Sequence, residues 1–295
     1  MKKTKLFMDS VVEIQVVIRE TMSTEEAEAK MERAFEAFRK VEQTCSRFSP
    51  DSELMNACRI IDNPIQISPF LFEPLKFALE IAKITDGEFD PAIGKVMEQQ
   101  GYNRHYLTGE ISENPSADSV TFRDIILDEQ DRTLFLKKPL VVDLGAVAKG
   151  FAIDLAAQEL KDFDGFLVNA GGDLFAGGVD RDGFPWKIGI QHPKKKDKII
   201  HVVELSNEAI CTSGSYERRH SKLPGMHHII NPKTGHSPND WVSCSIIAPF
   251  AMMADAFSTA AFLLGHERGT QLIENIGLMG LLITSGLEVL RVGGK

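Results

Sequence analysis

The chain has 295 residues, a formal net charge of −9, 43% hydrophobic residues and 25% charged residues. This length is enough for a sizeable core, either as one large domain or as two lobes. The net negative charge argues against a general nucleic-acid binder, because such proteins present a basic face to the phosphates. The short basic run at residues 194–198 is predicted to be a solvated loop between two strands.

The sequence also bears on the cellular compartment. No run of about 18 or more apolar residues occurs, so we expect no membrane-spanning helix. The N-terminal residues are basic, but no apolar segment follows them and no lipoprotein cysteine lies near the start. The four cysteines lack metal-type spacing and fit a reducing compartment. These features predict a cytoplasmic location, with export as the alternative if the sequence is a trimmed form of a longer protein.

The first half of the chain alternates between strand and helix signals. Residues 12–16 place apolar side chains at every second position, which predicts a half-buried strand, and Ser23 predicts a capping box before a long helix. Ser68–Pro69 predicts the start of another helix. Residues 86–96 are rich in Gly, Asp and Pro and indicate a loop, whose three carboxylates either are solvated or line a site. Residues 125–136 predict a hairpin.

A strand, a glycine-bearing turn and a helix are predicted in the middle of the chain. Residues 139–142 predict a buried strand that ends in Asp143, and apolar residues recur at helical spacing after a turn with Gly145 and Gly150. Free backbone N–H groups at such a helix start form a cradle for an anion. Asp143 and Lys149 flank this cradle with opposite charges. The alternative is an ordinary strand–helix unit with a capping Asp and a solvated Lys.

The second half of the chain is rich in strands. They are predicted over residues 165–169, 186–190, 199–205, 209–211 and 241–248, with a closing hairpin over residues 281–292. A long helix is predicted over residues 252–264, ending at Gly265. Because the strands occur in meanders as often as in strand–helix–strand units, the sequence predicts an α+β fold.

Asp255 and Thr259 lie four residues apart on the predicted helix 252–264. This spacing puts a carboxylate and a hydroxyl on one helix face, next to apolar residues. A carboxylate in apolar surroundings is costly unless it is paired or bound to a metal, and oxygen ligands of this kind suit Mg²⁺. The alternative is an Asp that pairs with a lysine or caps a neighbouring turn.

His227 and His228 form a doublet just before a turn that contains Pro and Gly. A loop histidine beside an anion site can act as a general base. A doublet can equally be partly structural, and the pattern alone leaves both readings open for each histidine.

Seven stretches of the chain carry a family resemblance. They run from Met8 nearly to the C-terminus and include FSPDSELMN, TDGEFDPAIG, VDLGAVAKGFAID, VNAGGDLFAGG, TSGSYERR, HHIINPKTG and ADAFSTAAFLLG. In this order they resemble the motifs of the FAD:protein FMN transferases, known as ApbE and formerly described as thiamine-biosynthesis lipoproteins. One such motif would be a weak sign, whereas seven in the same order are specific.

The resemblance implies a fold, a reaction and partners. Residues 1–295 would form a single domain with two lobes, built from mixed and antiparallel sheets with flanking helices around an FAD cleft. The enzyme would use Mg²⁺ and transfer FMN from FAD onto a Thr or Ser hydroxyl of a target flavoprotein, releasing AMP. Its partners would be FAD and an acceptor flavoprotein with an FMN-binding domain.

The resemblance also assigns roles to individual residues by their motif positions. The predicted FAD contacts are Met8, Phe48, Glu88, Phe89, Asp90, Asp143, Lys149, Gly171, Gly172, Ile229 and Ile230. The Ala146 carbonyl, Asp255 and Thr259 would hold Mg²⁺, with Ser258 as a further candidate. His228 would be the base that takes the proton from the acceptor hydroxyl.

The chain departs from the family pattern at several of these positions. Asp9–Ser10 replaces the usual Gly-Thr after the first motif Met, and Phe48 stands where Tyr is common, so only stacking remains there. Asn231 stands where Asp is common, and Ser258 occupies a position that is acidic in some members. The last departure leaves the number of metal ligands open.

Two other functions are compatible with the same residues. An FAD pyrophosphatase would use water as the acceptor and produce FMN and AMP at the same site. A non-catalytic FAD-binding protein is the other alternative, and the presence of His228, Asp255 and Thr259 argues against it.

Overall fold

The structure is a computed structural model that describes residues 1–18, 22–216 and 225–294. The helices are α1 (Thr24–Cys45), α2 (Glu53–Cys58), α3 (Pro69–Ile84), α4 (Gly94–Gln99), α5 (Ala148–Leu160) and α6 (Ala251–Asn275). The strands are β1 (Lys2–Phe7), β2 (Ser10–Val17), β3 (Ile65–Gln66), β4 (Ile125–Asp128), β5 (Thr133–Leu136), β6 (Gly165–Ala170), β7 (Asp173–Gly178), β8 (Trp186–His192), β9 (Lys195–Leu205), β10 (Glu208–Gly214), β11 (Trp241–Ala248), β12 (Met279–Thr284) and β13 (Val289–Gly293). The predicted α+β class is confirmed. The end of the TSGSYERR motif, residues 217–219, lies outside the described residues.

An eight-stranded sheet forms the centre of the fold, in the order β1-β2-β6-β7-β10-β11-β12-β13. Each pairing among its described strands is antiparallel. Successive side chains of a strand point to opposite faces, so Ile246 packs into the core under α1, α5 and α6. Its neighbour Ile247 packs on the other face against the β8–β9 ribbon, beside Trp186 and Leu205.

A three-stranded sheet is ordered β3-β5-β4, and the turn of its β4–β5 hairpin meets α3 through an ion pair between Glu129 and Lys76. Leu134 and Leu136 of this sheet belong to the same apolar core as Ile14 and Phe38 of the large sheet and α1. The hydrophobic core is therefore continuous between the two sheets. The division into two lobes around a cleft stays a prediction.

Several predicted elements are confirmed by the backbone. The hairpin at residues 125–136 forms as β4 and β5. The Ser23 hydroxyl accepts the Glu26 N–H at the start of α1, which is half of the predicted capping box. Gly265 interrupts α6 with φ = 74°, a conformation that glycine adopts at little cost.

Two local predictions are wrong. Residues 139–142 form no strand, although Leu140, Val141 and Val142 are buried, because their backbone carbonyls accept from residues outside any strand: Val141 from Gly94 N–H at the start of α4 and Pro139 from Ala117 N–H. An apolar run signals burial without specifying a partner strand. The basic run at residues 194–198 is not a loop, since Lys195 begins β9, whose first residues are exposed on a two-stranded ribbon.

Candidate active site

Two neighbouring hairpin turns mark one end of the eight-stranded sheet. Met8 and Asp9 connect β1 to β2 with φ of 51° and 56°, and Gly171 and Gly172 connect β6 to β7 with φ of 64° and 103°. Strands β2 and β6 pair, and Gly171 N–H donates to the Val11 carbonyl at 3.1 Å. The predicted FAD contacts Met8, Gly171 and Gly172 are thus brought together. A positive φ is sterically unfavourable for Met8, and residues with such strained backbone conformations cluster at functional sites.

Lys149 lies in a network of carboxylates at the same end of the sheet. Its ammonium forms an ion pair with Asp173, at the start of β7, and lies 3.7 Å from Oδ1 of Asp255 on α6. Asp173 is buried, and its Oδ1 accepts the Thr212 N–H at 2.8 Å. The lysine is therefore not merely solvated. The sequence analysis did not single out Asp173, although this residue directly follows the Gly171–Gly172 turn in the VNAGGDLFAGG motif.

Oxygen atoms cluster on the face of α6 that meets β10. The hydroxyl of Ser213 lies 2.9 Å from the hydroxyls of both Ser258 and Thr259. Ser258 is fully buried, and its hydroxyl donates to the Asp255 carbonyl oxygen at 2.9 Å. Burial raises the pKa of Asp255, and the Lys149 ammonium and a backbone N–H oppose that rise. The carboxylate and the Thr259 hydroxyl lie on one helix face, as their spacing predicts.

The first turn of α5 differs from the predicted anion cradle. Gly145 N–H donates to Asp143 at 2.7 Å, and Gly150 N–H donates to Oδ2 of Asp255 at 3.1 Å, so carboxylates of the protein occupy both donors. A Cβ atom at Gly150 would lie 2.4 Å from the Ala251 carbonyl oxygen. This glycine therefore allows α5 and α6 to pack closely, rather than opening space for a ligand.

The same geometry supports the predicted role of the Ala146 carbonyl. In a regular helix Gly150 N–H would donate to this carbonyl, but it donates to Asp255. Carbonyl, carboxylate and hydroxyl oxygens are the donors that Mg²⁺ prefers, so Ala146, Asp255 and Thr259 fit this ion chemically. Within the described residues no three His, Cys, Asp or Glu side chains form a metal-type group. The candidate site therefore depends on a single carboxylate with neutral oxygens.

Arg47 connects two predicted FAD contacts and was missed by sequence reasoning. Its Nε donates to Oδ2 of Asp143, and its guanidinium carbon lies 4.1 Å from the ring centre of Phe48. A second nitrogen, Nη2, donates to the Tyr102 carbonyl. Arg47 is only 5% exposed. An arginine next to a polar turn is normally expected to be solvated, and Arg47 lies just before Phe48, the first residue of the FSPDSELMN motif.

We expect Arg47→Gln to weaken FAD binding by about tenfold or more. The change removes a charge-assisted hydrogen bond to Asp143, worth about 1.5–3 kcal/mol, and the cation stacked on Phe48. Fluorescence quenching of FAD measures the effect. Arg39→Gln is the matched control, because Arg39 lies eight residues earlier, on α1, and pairs with Glu36 at the surface. Equal dissociation constants for the two variants would contradict the role of Arg47.

Glu88 ties the loop at residues 86–90 to the loop that follows His228. Its carboxylate accepts the side-chain amide of Asn231 and lies 3.3 Å from the Lys233 ammonium and 3.1 Å from Arg268. These partners lower the pKa of Glu88 against the opposing effect of burial. The departure at position 231 now has a structural explanation, since an Asp there would place a second carboxylate against Glu88.

Phe89 and Asp90, two of the predicted FAD contacts, are buried. Phe89 is 6% exposed and belongs to the main core. The two carboxylate oxygens of Asp90 accept the N–H groups of Ala92, at 2.8 Å, and Phe122, at 3.0 Å. Burial raises the pKa of Asp90. Both residues hold the loop in shape, and their contact with FAD stays a prediction.

The two histidines of the doublet have different environments. His227 is buried, its Nδ1 accepts the Ile229 N–H, and its Nε2 lies 3.0 Å from the Pro238 carbonyl oxygen. Its ring meets Phe262 edge-on at 5.5 Å, and Phe262 shares its α6 face with Asp255 and Thr259 by the i, i+4, i+7 spacing. His227 therefore anchors its loop against the oxygen-rich face.

His228 is half-buried and follows this anchor directly. Ile229 and Ile230, 5% and 2% exposed, fix the chain on its other side. The loop thus presents His228 between two buried attachment points. A histidine held by its neighbours while remaining accessible suits a group that must meet a substrate.

We expect Lys149→Met to destabilise the fold by about 1–3 kcal/mol, because it leaves Asp173 buried without its cation. The expected loss is smaller than for a fully buried pair, since the lysine side chain is 22% exposed. Chemical denaturation of Lys149→Met, Asp173→Asn and the double variant measures the coupling. Additive effects of the two substitutions would show that the pair contributes nothing.

Comparison with known proteins identifies the family of the chain. The model of the ApbE family matches residues 8–282. The FAD:protein FMN transferase of Escherichia coli (strain K12) is 30% identical over 260 residues, covering 82% of this chain and 73% of that protein. The corresponding protein of Treponema pallidum (strain Nichols) is 31% identical over 272 residues, covering 84% and 75%.

Solved structures share the fold. The crystal structure of the ApbE protein from Thermotoga maritima superposes with a TM-score of 0.86 at 27% identity, covering 99% of this chain and 96% of that one. The flavin transferase ApbE from Vibrio cholerae superposes with a TM-score of 0.84 at 23% identity, covering 100% and 97%. The chain therefore belongs to the ApbE family. None of the helices in the described part of the chain has the length and apolar character needed to cross a membrane.

Proposed function

We propose that this enzyme is an FAD:protein FMN transferase that joins FMN to a Thr or Ser hydroxyl of an acceptor flavoprotein and releases AMP. The two relatives named above are called FAD:protein FMN transferases, which supports the transfer of FMN from FAD. The observation that carries the proposal is the cluster of Lys149, Asp255 and Thr259 where α5 meets α6, beside the loop of His228.

Phosphorus chemistry explains why these residue types are needed. Attack on a phosphorus atom of FAD increases negative charge on its oxygens, so cations and N–H donors must lie nearby. Lys149 supplies an ammonium, which would exchange part of its pairing with Asp173 for the diphosphate. The Gly171–Gly172 turn lacks side chains and lets a ligand approach the backbone. Phe48 would stack on an aromatic ring of FAD.

A bound Mg²⁺ would neutralise phosphate charge. The Ala146 carbonyl, Asp255 and Thr259 would hold it, since their oxygen chemistry fits. Ser258 would support these ligands through its hydrogen bonds to Ser213 and to the Asp255 carbonyl oxygen. Family members with an acidic residue at this position would have a further carboxylate near the metal, whereas this chain has the Ser258 hydroxyl.

His228 would act as the general base in this reaction. It takes the proton from the acceptor hydroxyl while the hydroxyl oxygen forms a bond to the phosphorus of the FMN half. The bond from that phosphorus to the AMP oxygen breaks, and AMP leaves. The products are AMP and a protein with FMN attached through a phosphoester. His227 and the two isoleucines would hold His228 in place for this step.

The test is to incubate the protein with FAD, Mg²⁺ and an FMN-binding acceptor domain and to analyse both by mass spectrometry. A covalent FMN adduct on the acceptor, with one AMP released for each adduct, is the expected result. Free FMN and AMP without an adduct would replace the proposal with an FAD pyrophosphatase. Unchanged FAD would indicate a binding protein. The two-lobed FAD cleft and the cytoplasmic location remain parts of the proposal.

A further inference from the structure

Helices α5 and α6 cap each other. Neither has a side-chain hydrogen bond from its own capping residue. The first N–H groups of α6, on Ala251 and Met252, donate to the two oxygens of Asp154 on α5, at 2.6 and 2.9 Å. In return, Gly150 N–H at the start of α5 donates to Asp255 on α6 at 3.1 Å. Each helix thus satisfies orphan donors of the other.

The two caps have matching spacing. In each helix a small residue donates its N–H to the partner helix, and the carboxylate that accepts from the partner helix lies four residues further on. The two pairs are Gly150 and Asp154 on α5, and Ala251 and Asp255 on α6. The small residues touch, since a Cβ on Gly150 would lie 2.4 Å from the Ala251 carbonyl oxygen. The register of α5 on α6 is therefore set by two reciprocal hydrogen-bonding groups around one close contact.

The carboxyl group of Asp154 stabilises the fold less at neutral pH than at low pH, because its pKa is raised. Burial raises its pKa to about 6, with a smaller contribution from the nearby negative charge of Asp255 and opposition from the two N–H groups. A raised carboxylate pKa favours the folded state most at low pH, and that advantage is lost as the pH rises through about 6.

We propose that Asp154 is a positioning residue for the active site, which holds the start of α6 on α5 so that Asp255 presents its carboxylate to Gly150 and Lys149. Asp255 lies one helical turn after the donors that Asp154 binds. A shift of this turn moves Asp255 and Thr259 together relative to the first turn of α5, which carries Lys149. The inference rests on the proposed function only for its catalytic consequence.

Hydrogen exchange tests the positioning directly, without any activity measurement. In Asp154→Asn one of the two carboxylate oxygens becomes an NH₂ group, so only one of the N–H groups of Ala251 and Met252 keeps an acceptor, whereas in Asp154→Ala both lose it. We expect hydrogen exchange to become about tenfold or more faster at one of these two N–H groups in Asp154→Asn and at both in Asp154→Ala, and at Gly150 in both variants, because Asp255 is displaced from Gly150. Glu159→Gln is the matched control, since Glu159 lies on α5 and pairs at the surface with Arg33. Unchanged exchange at Gly150 would overturn the proposal.

Ion binding and turnover test the catalytic consequence. Titration of Mn²⁺ into the FAD-loaded protein, followed by electron paramagnetic resonance, should show about tenfold weaker binding in Asp154→Asn. The KM for FAD should stay within about threefold of wild type, and the metal requirement of transfer should rise. Asp154→Ala, checked by circular dichroism, must give the same pattern. If wild type neither binds Mn²⁺ nor transfers FMN, the proposed function fails, while the Gly150 exchange result still decides the positioning role.

Discussion

His228→Ala is expected to lower the rate of FMN transfer by about a hundredfold to ten-thousandfold while leaving FAD binding close to that of wild type. General-base catalysis contributes in this range, and the diphosphate contacts assigned to Lys149 and the Gly171–Gly172 turn do not involve the imidazole. Wild-type activity should rise with pH over the range in which imidazoles lose their proton. This pH limb should be missing from the variant's residual activity.

The neighbouring histidines provide two different controls. His236 is exposed in the same loop, so His236→Ala should keep full activity. His227→Ala should lose stability, because His227 is buried and binds the Pro238 carbonyl and the Ile229 N–H. Single-turnover transfer and FAD quenching, measured on all three variants with thermal melting, separate these effects. Full transfer activity in folded His228→Ala would mean that another group activates the acceptor hydroxyl.

Asp255→Asn should abolish the metal-dependent part of turnover, with a loss of more than about a hundredfold. A metal that neutralises phosphate charge contributes several kcal/mol to the transition state, and each 1.36 kcal/mol is about tenfold in rate. The asparagine oxygen can still accept the Gly150 N–H, so the close packing of α5 on α6 should persist. The substitution also removes a buried carboxylate whose pKa is raised, so the melting temperature should not fall steeply.

The measurement is a rate assay across a Mg²⁺ titration and in EDTA. Glu267→Gln is the matched control, because Glu267 is an exposed acidic residue on the same helix. Wild type and the control should lose activity in EDTA, whereas Asp255→Asn should be equally slow with and without Mg²⁺. Activity of Asp255→Asn that responds to Mg²⁺ as wild type does would exclude Asp255 as a ligand.

Much of the local structure was predictable because it depends on residue periodicity and on single backbone conformations. The alternation at residues 12–16 became β2, and the helix predicted to end at Gly265 is interrupted there by a positive φ. The family prediction was confirmed because its motifs occur in order along nearly the whole chain. These signals are read from neighbouring residues, so they need no knowledge of what packs against them.

Residues 139–142 show where such signals stop. Their apolar side chains indicate burial, and Leu140, Val141 and Val142 are buried, yet the backbone of this segment pairs with no strand, since the Val141 carbonyl accepts the N–H of Gly94 at the start of α4. Arg47 is the complementary case, since a charged residue next to a polar turn is buried against Asp143 and Phe48. In both cases the outcome depended on a partner distant in the chain.

The sequence by itself determined the family, the α+β class and the residue types available for phosphate and cation chemistry. Only the tertiary structure decided their partners: Lys149 with Asp173, Glu88 with Asn231, and Gly150 with Asp255, 105 residues away. The physical reason is that local patterns set which face of an element is apolar. Which buried carboxylate meets which donor depends on how closely two helices pack, and here that is decided by a glycine against a backbone carbonyl.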